Sequence, residues 1–313
     1  MNFLDKKILI TGGAGFIGSN IVKTLLEKGA KVRILDNFIT GKKINIEPFL
    51  NNNNFEIVEG DLRDCSDVRR AAEGIDYILH QGALPSVPRS LKDPVTTNNI
   101  NILGTLNILM AAKEAGVKRV VYASSSSIYG DSKTLPKKED MPVNPLSPYA
   151  LSKYAAERYC QIFYQIYGLE TVCLRYFNVF GPNQDPTSQY AAVIPKFINL
   201  IKNNEIPVIY GDGLQSRDFT YVENVVEANI LSCEKNDVAG EVFNIACGNS
   251  FTLLQLVDFI NKFLDKNIKP KFAEFRSGDV KHSLASIEKA KINLGYEPKV
   301  NFEKGLEKLI LKS

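Results

Sequence analysis

The sequence predicts an α/β fold: a doubly wound parallel sheet followed by a smaller, mixed α/β C-terminal domain. Three observations carry this. The first two-thirds of the chain alternates short apolar runs with helical patterns. Runs such as Ile8-Leu9-Ile10 and Val120-Val121-Tyr122 lack polar alternation, as expected for strands covered by helices on both faces. A glycine-rich turn from Thr11 to Gly18 joins the first strand to the first helix.

Taken in order, Lys7–Thr11 reads as the first strand and residues 16–28 as a helix, with Ile17, Ile21, Leu25 and Leu26 at helical spacing and Gly29 as its stop. Strands follow at Lys31–Asp36, 56–60, Tyr77–His80, 119–124 and 171–176, and helices at 66–72, 98–115 and 149–167. Consecutive units of this kind connect right-handedly into a parallel sheet. Beyond Gly181 the rhythm changes, with Pro182, Pro186, Pro195, Pro207, Gly211 and Gly213 breaking the chain into shorter segments. The expected division is 1–178 for the sheet domain, with about 219–246 returning to it, and mainly 179–313 for the smaller domain. Asn51–Asn54 reads as a polar turn.

Composition bounds the function. The chain has 313 residues, 44% hydrophobic and 23% charged, enough apolar material for a large core. A formal net charge of +3 gives no footprint for nucleic acid, so none is expected as a partner. No apolar run is long enough for a transmembrane helix and the N-terminus lacks a signal-like apolar stretch, so no membrane partner and a cytoplasmic location are expected. Five scattered cysteines form no CxxC pair and only two histidines are present, which excludes a disulfide framework and a His-rich metal site.

The glycines at 12, 15 and 18 have the context that a dinucleotide site requires, with a strand before and a helix after. The turn must be tight, the backbone must approach a pyrophosphate, and the helix N-terminus must face it, so Gly12, Gly15, Phe16, Ile17 and Gly18 are candidate cofactor contacts. Asp36 ends the second strand, about 20 residues on, where a carboxylate suits the adenosine ribose hydroxyls and repels a 2'-phosphate. Asn37 follows it instead of an arginine, which favours NAD over NADP. Asp61, ending the third strand, is a candidate for the adenine end. The sheet is therefore expected to be Rossmann-type.

Tyr149 and Lys153 share one face of a helix at i, i+4, with Pro148 marking its start. The ammonium is expected to lower the phenol's pKa and make it a general base for an alcohol whose carbon loses hydride. The run Ser124–Ser127 follows a strand, where a hydroxyl reaches over the cofactor crevice.

These features resemble the extended short-chain dehydrogenase/reductases, specifically the nucleotide-sugar 4-epimerases, over essentially the whole chain. The resemblance is carried by Thr11–Gly18, Asp36-Asn37, Asn101-Ile102-Leu103-Gly104-Thr105, the serine run before Tyr129-Gly130, Tyr149 with Lys153, Arg175-Tyr176-Phe177-Asn178, Gly211-Asp212-Gly213 and Ser216-Arg217-Asp218-Phe219. Ser86-Val87-Pro88-Arg89-Ser90, residues 190–196 and residues 278–284 match more finely the UDP-N-acetylhexosamine and UDP-N-acetylhexosaminuronate 4-epimerases of polysaccharide biosynthesis. The resemblance implies that Tyr149 takes the proton from sugar O4 while NAD+ takes hydride from C4, Lys153 holds the cofactor ribose and the phenolate, and Ser125 hydrogen-bonds O4. The 4-keto sugar then turns over and hydride returns, interconverting UDP-N-acetylglucosamine and UDP-N-acetylgalactosamine, with UDP-glucose/UDP-galactose and the uronic acids as related substrates.

Further cofactor contacts implied are Leu62, Gln81, Ala83, Asn101 and Tyr176. Implied sugar-nucleotide contacts are Ser86, Arg89, Ser126, Asn178, Ala192, Val193, Lys196, Tyr210, Arg217, Arg276, Asp279 and Ser283. Arginines suit phosphate by their bidentate fork. Ser283 stands where sugar-restricted relatives carry a bulky aromatic, leaving room for a 2-acetamido group. Pro85 replaces a usual glycine. Ser126 and Ser127 stand where 4,6-dehydratases place Asp-Glu, and no glutamate follows as in UDP-glucuronate decarboxylases. Those two activities, and a non-catalytic NAD sensor, are the alternatives. The resemblance also implies a homodimer, helices 98–115 and 149–167 forming a four-helix bundle.

Overall fold

The computed structural model describes residues 3–185, 193–275 and 281–312. Seven strands form one parallel sheet: β1 (Lys7–Thr11), β2 (Lys31–Asp36), β3 (Phe55–Glu59), β4 (Tyr77–His80), β5 (Arg119–Ser125), β6 (Glu170–Tyr176) and, far along the chain, Val242–Ile245. Their order is Val242–Ile245, β6, β5, β4, β1, β2, β3. The chain starts at the centre, runs to one edge, then returns and builds outward. The order reverses between β1 and β4, the place where a doubly wound sheet opens a crevice at its carboxyl edge.

Alternate residues explain the two-faced burial. Ile8 and Ile10 enter one core with Ile21, Val22 and Leu25 of α1 (Phe16–Glu27). Leu9, between them, enters the opposite core with Val68 of α2 (Cys65–Ala72) and Ile108 and Leu109. Asp64 caps α2, its carboxylate accepting from the amides of Ser66 and Asp67.

The helix expected over 98–115 begins earlier and runs from Pro94 to Glu114 with a π-turn inside it. After α3 (Val87–Lys92), α4 (Pro94–Asn98) passes through a π-turn at Asn99–Leu103 into α5 (Gly104–Glu114). The wider turn inserts one residue into the ladder and swings Asn101 inward, a device common at functional sites. Helix α6 (Pro148–Tyr167) starts where Ser147 accepts from the Ala150 amide with Pro148 in the first turn, and stops at Gly168 with φ 71°.

The second layer begins at β7 (Val179–Phe180), with α7 (Val193–Lys202), β8 (Val208–Tyr210), β9 (Ser216–Arg217) and β10 (Thr220–Tyr221). Helix α8 (Val222–Glu234) packs on α1 and leads into the seventh sheet strand, Val242–Ile245, numbered β11. The rest comprises β12 (Phe251–Thr252), α9 (Leu253–Leu264), β13 (Lys271–Ala273), α10 (Glu288–Leu294) and α11 (Phe302–Lys312). Its core gathers Phe180, Phe197, Phe219, Tyr221 and Phe302, with Phe219 and Phe302 stacked at 5.0 Å. Among the described residues, no helix is long and apolar enough to cross a membrane.

Candidate active site

The glycine turn does what its residue types allow. Gly12 has φ +66°, and a Cβ there would stand 2.8 Å from the Cα of Gly82. A Cβ on Gly18 would stand 2.1 Å from the carbonyl oxygen of Gly12, so only glycine lets α1 press against the turn. No side chain caps α1 at Gly15, and its first amides open onto a cleft of about 690 Å³ along the carboxyl edge of the sheet. Uncapped amides and a turn without side chains fit a pyrophosphate, so the residues present fit a dinucleotide. The predicted Gly12, Gly15, Phe16, Ile17, Gly18, Asp36, Asn37, Asp61, Leu62, Gln81, Ala83, Tyr149, Lys153 and Tyr176 all line this cleft, as do Ser86 and Arg89.

Asp36 is buried at the end of β2 and accepts from the amides of Ala14 and Phe38, each at 2.9 Å. Burial pushes its carboxyl up, and the two amides pull against that. Asp61 is drawn to Arg63 at 2.7 and 2.9 Å and accepts from Asn37 at 2.8 Å. The arginine holds the Asp61 carboxyl well below the usual carboxylate range.

Tyr149, Lys153 and Ser125 meet where the start of α6 crosses the end of β5. The Lys153 ammonium donates to the Ala123 carbonyl at 2.7 Å and lies 4.9 Å from the centre of the Tyr122 ring. Burial lowers its pKa to about 8. Ser125 hydrogen-bonds the Tyr149 phenol, and its Oγ lies 2.9 Å from that of Ser127. Ser126 opens the 3-10 turn Ser126–Tyr129. The expectation of a phenol made acidic by its lysine is corrected here. Burial raises the Tyr149 pKa, the Ser125 bond only moderates the rise, and the ammonium gives one of its three protons to Ala123. The chain's own groups leave this phenol a weak acid.

Several site residues were missed by the sequence reading. Glu157, one turn beyond Lys153, accepts from Ser124 at 2.7 Å and forms a buried pair with Arg175 at 2.7 Å. Arg175 also donates to the Tyr129 hydroxyl at 2.7 Å, which in turn donates to Asn244. The i+4 spacing from Lys153 was the available signal for Glu157. Asn229, from distant α8, closes a ring with two predicted residues: Tyr176 donates to Gln81 (3.1 Å), Gln81 to Asn229 (3.0 Å) and Asn229 to Tyr176 (2.8 Å). Asn101, expected as a cofactor contact, is buried and is not among the residues that line the cleft. The π-turn aims its amide at the Leu84 backbone and at Ser152.

Among the residues expected to contact the sugar nucleotide, the Asn178 amide points to the Asp218 carbonyl (3.3 Å) and Ser283 Oγ (3.5 Å). Buried Asp218 accepts from the amides of Cys247, Gly248 and Ala285, joining three segments around this corner, and burial pushes its pKa up to about 7. Arg217 donates to the carbonyls of Ser216 and Lys281. Ser86 caps α3 at φ +99°, accepting from the Arg89 amide. Tyr210 ends β8 beside β13. Val193 packs against the core of the smaller domain, and Lys196 is exposed on α7. Ala192, Arg276 and Asp279 lie outside the described residues.

Known proteins share this fold. The chain is 44% identical, at a TM-score of 0.93 and 98% coverage of both chains, to the UDP-N-acetylglucosamine 4-epimerase of Methanobrevibacter ruminantium M1 in complex with UDP-N-acetylmuramic acid. It is 37% identical, at a TM-score of 0.92 and 97% coverage of both, to the UDP-glucose 4-epimerase of Thermotoga maritima with UDP-glucose. A UDP-glucose 4-epimerase of Mycolicibacterium smegmatis is 35% identical over 306 residues, 97% of each chain. Residues 8–246 match the NAD dependent epimerase/dehydratase family, and with the glycine turn, Asp36 and the Tyr149–Lys153 pair around one cleft, the chain belongs to that family.

Proposed function

We propose that the chain is a UDP-sugar 4-epimerase acting on the UDP-N-acetylglucosamine/UDP-N-acetylgalactosamine pair. The observation that carries the epimerase reading is that Tyr149 and Lys153 line the cleft together and Ser125 hydrogen-bonds the Tyr149 phenol. Bound there, NAD+ supplies a hydride acceptor and a positive charge. Tyr149 takes a proton from the sugar O4 and returns it, and Ser125 steadies the same oxygen by hydrogen bonding. Lys153, anchored on Ala123, would hold the cofactor ribose and the phenolate. No carboxylate stands at Ser126 or Ser127 for the proton transfers of a dehydratase.

Preference for the acetylated sugar is supported by the short Ser283 side chain beside Asn178 and by the 44% identical epimerase named for that sugar. In the division of labour we propose, residues 1–178 and about 219–246 hold the dinucleotide and mainly 179–313 hold the sugar nucleotide. A homodimer through α5 and α6 fits the exposed Leu103, Met110, Leu151 and Ile166. Cys160 and Phe163 of α6 face the sheet core. Incubation with UDP-N-acetylglucosamine and no added cofactor tests the activity. UDP-N-acetylgalactosamine is the expected product, a 4-keto-6-deoxy product marks a dehydratase, and no product marks a sensor. Light scattering after size exclusion tests the dimer, and a monomer mass refutes it.

A further inference from the structure

A line of buried hydroxyl and imidazole groups runs from the glycine turn to the π-turn. The Gly82 amide donates to Thr11 Oγ1 at 3.0 Å. Thr11 Oγ1 lies 2.6 Å from His80 Nδ1, and His80 Nε2 lies 2.9 Å from Thr105 Oγ1. Thr105 Oγ1 donates to the Asn101 carbonyl at 2.6 Å. All four side chains are buried.

The direction of every bond follows from proton counting. A hydroxyl carries one proton, and that of Thr105 is committed to Asn101. Toward His80, Thr105 can only accept, so Nε2 carries the imidazole proton. Burial, reinforced by the Lys153 ammonium, lowers the His80 pKa to about 3, so the ring is neutral and Nδ1 is a bare acceptor. Thr11 therefore donates to Nδ1 and accepts from Gly82. Four elements face the ring: β1 through Thr11, α5 through Thr105, β5 through Tyr122 (5.6 Å between ring centres) and α6 through Lys153, the last two being titratable.

Both ends of the line bear on the cleft. Thr11 immediately precedes Gly12, and Gly82 lines the wall. The Asn101 side chain grips the Leu84 backbone at 2.7 and 3.2 Å and Ser152 Oγ at 3.0 Å, next to Lys153. We propose that His80, held as its Nε2–H tautomer, is a positioning residue that sets the spacing between the Thr11–Gly12 turn and Asn101, and with it the dinucleotide cleft. The inference rests on this cleft being the NAD site, not on the sugar assignment.

The chain has two histidines, so the test is direct. In 15N-histidine-labelled protein, one ring should keep the neutral Nε2–H pattern from pH 5 to 9, and its signals should vanish in His80→Asn. Titration with NAD+ supplies the second arm. His80→Phe, which keeps neither bond, should raise the Kd roughly tenfold, the scale for unpairing buried polar groups. His80→Asn keeps an acceptor near Nδ1 and His80→Gln a donor near Nε2, and each should recover part of the loss. An Nδ1–H tautomer, titration within that range, or an unchanged Kd in His80→Phe would overturn the proposal. Should His80→Phe not fold, the wild-type spectrum and the two amide variants decide. Neither arm measures sugar turnover, so loss of the epimerase reading would leave the result standing.

Discussion

The Lys153 ammonium lies 2.7 Å from the Ala123 carbonyl oxygen and donates to it, so the helix carrying Tyr149 is bonded to the strand carrying Ser125. The bond positions a cation that burial disfavours. Folding lowers the lysine pKa to about 8, against roughly 10.4 for a free lysine, so between those values the unfolded chain binds the proton more strongly. The destabilisation is full below pH 8 and fades as pH rises toward the unfolded value. Nucleotide-free Lys153→Met should therefore unfold roughly 2–4 °C above wild type at pH 7, with the gap closing by pH 10, while turnover collapses. Thermal unfolding at the two pH values checks the sign.

Tyr149→Phe removes the O4 proton acceptor and leaves the ring's packing in place. Turnover should fall by about 10²–10⁴, the usual weight of positioned acid–base groups, with bound NAD retained. Initial rates alongside nucleotide released on denaturation measure both, and turnover near wild type would exclude Tyr149 as the base.

Gly18→Ala forces a methyl to within 2.1 Å of the Gly12 carbonyl oxygen. The contact is backbone and cannot swing aside, so α1 must lift from the turn. A loss of about 1–3 kcal/mol is expected with near-complete loss of bound NAD. Urea unfolding and nucleotide content of the purified variant report the two effects.

Asp36→Asn removes the charge and keeps only one of the two acceptors, since Ala14 and Phe38 donate to different carboxylate oxygens. NAD affinity should fall roughly tenfold while NADP affinity rises, narrowing the discrimination. Calorimetric titration with both dinucleotides is the measurement, and an unchanged ratio would remove Asp36 as the selector.

Ser283→Tyr places a large ring beside Asn178, at the corner that Asp218 ties together. Turnover of UDP-N-acetylglucosamine should drop at least about tenfold relative to UDP-glucose, within the range that pocket volume can discriminate. Competing rates on the two sugars decide it.

Some of this was legible in local sequence because it depends on local geometry. Apolar runs without alternation announce strands covered on both faces, and β1 and β4 are indeed buried throughout their length beyond Lys7. The i, i+4 spacing of Tyr149 and Lys153 places both on one helix face whatever the fold, and the glycines of the turn exclude side chains wherever they stand. Other features were invisible because they join residues far apart. Asn229 meets Gln81 across 148 positions, and no pattern around either residue signals the other.

The sequence by itself determined the alternation of strands and helices, the dinucleotide turn and the Tyr149–Lys153 pairing, since each follows from the covalent period of a helix or strand or from the absence of a Cβ. Tertiary structure alone decided the protonation states and the aim of the polar groups. Burial raises the Tyr149 phenol and keeps His80 neutral. The π-turn directs Asn101 into the wall, and Glu157 finds Arg175 beneath the cleft. Desolvation and long-range hydrogen bonding depend on what surrounds a group in space, and that is set only when the sheet and its helices close around it.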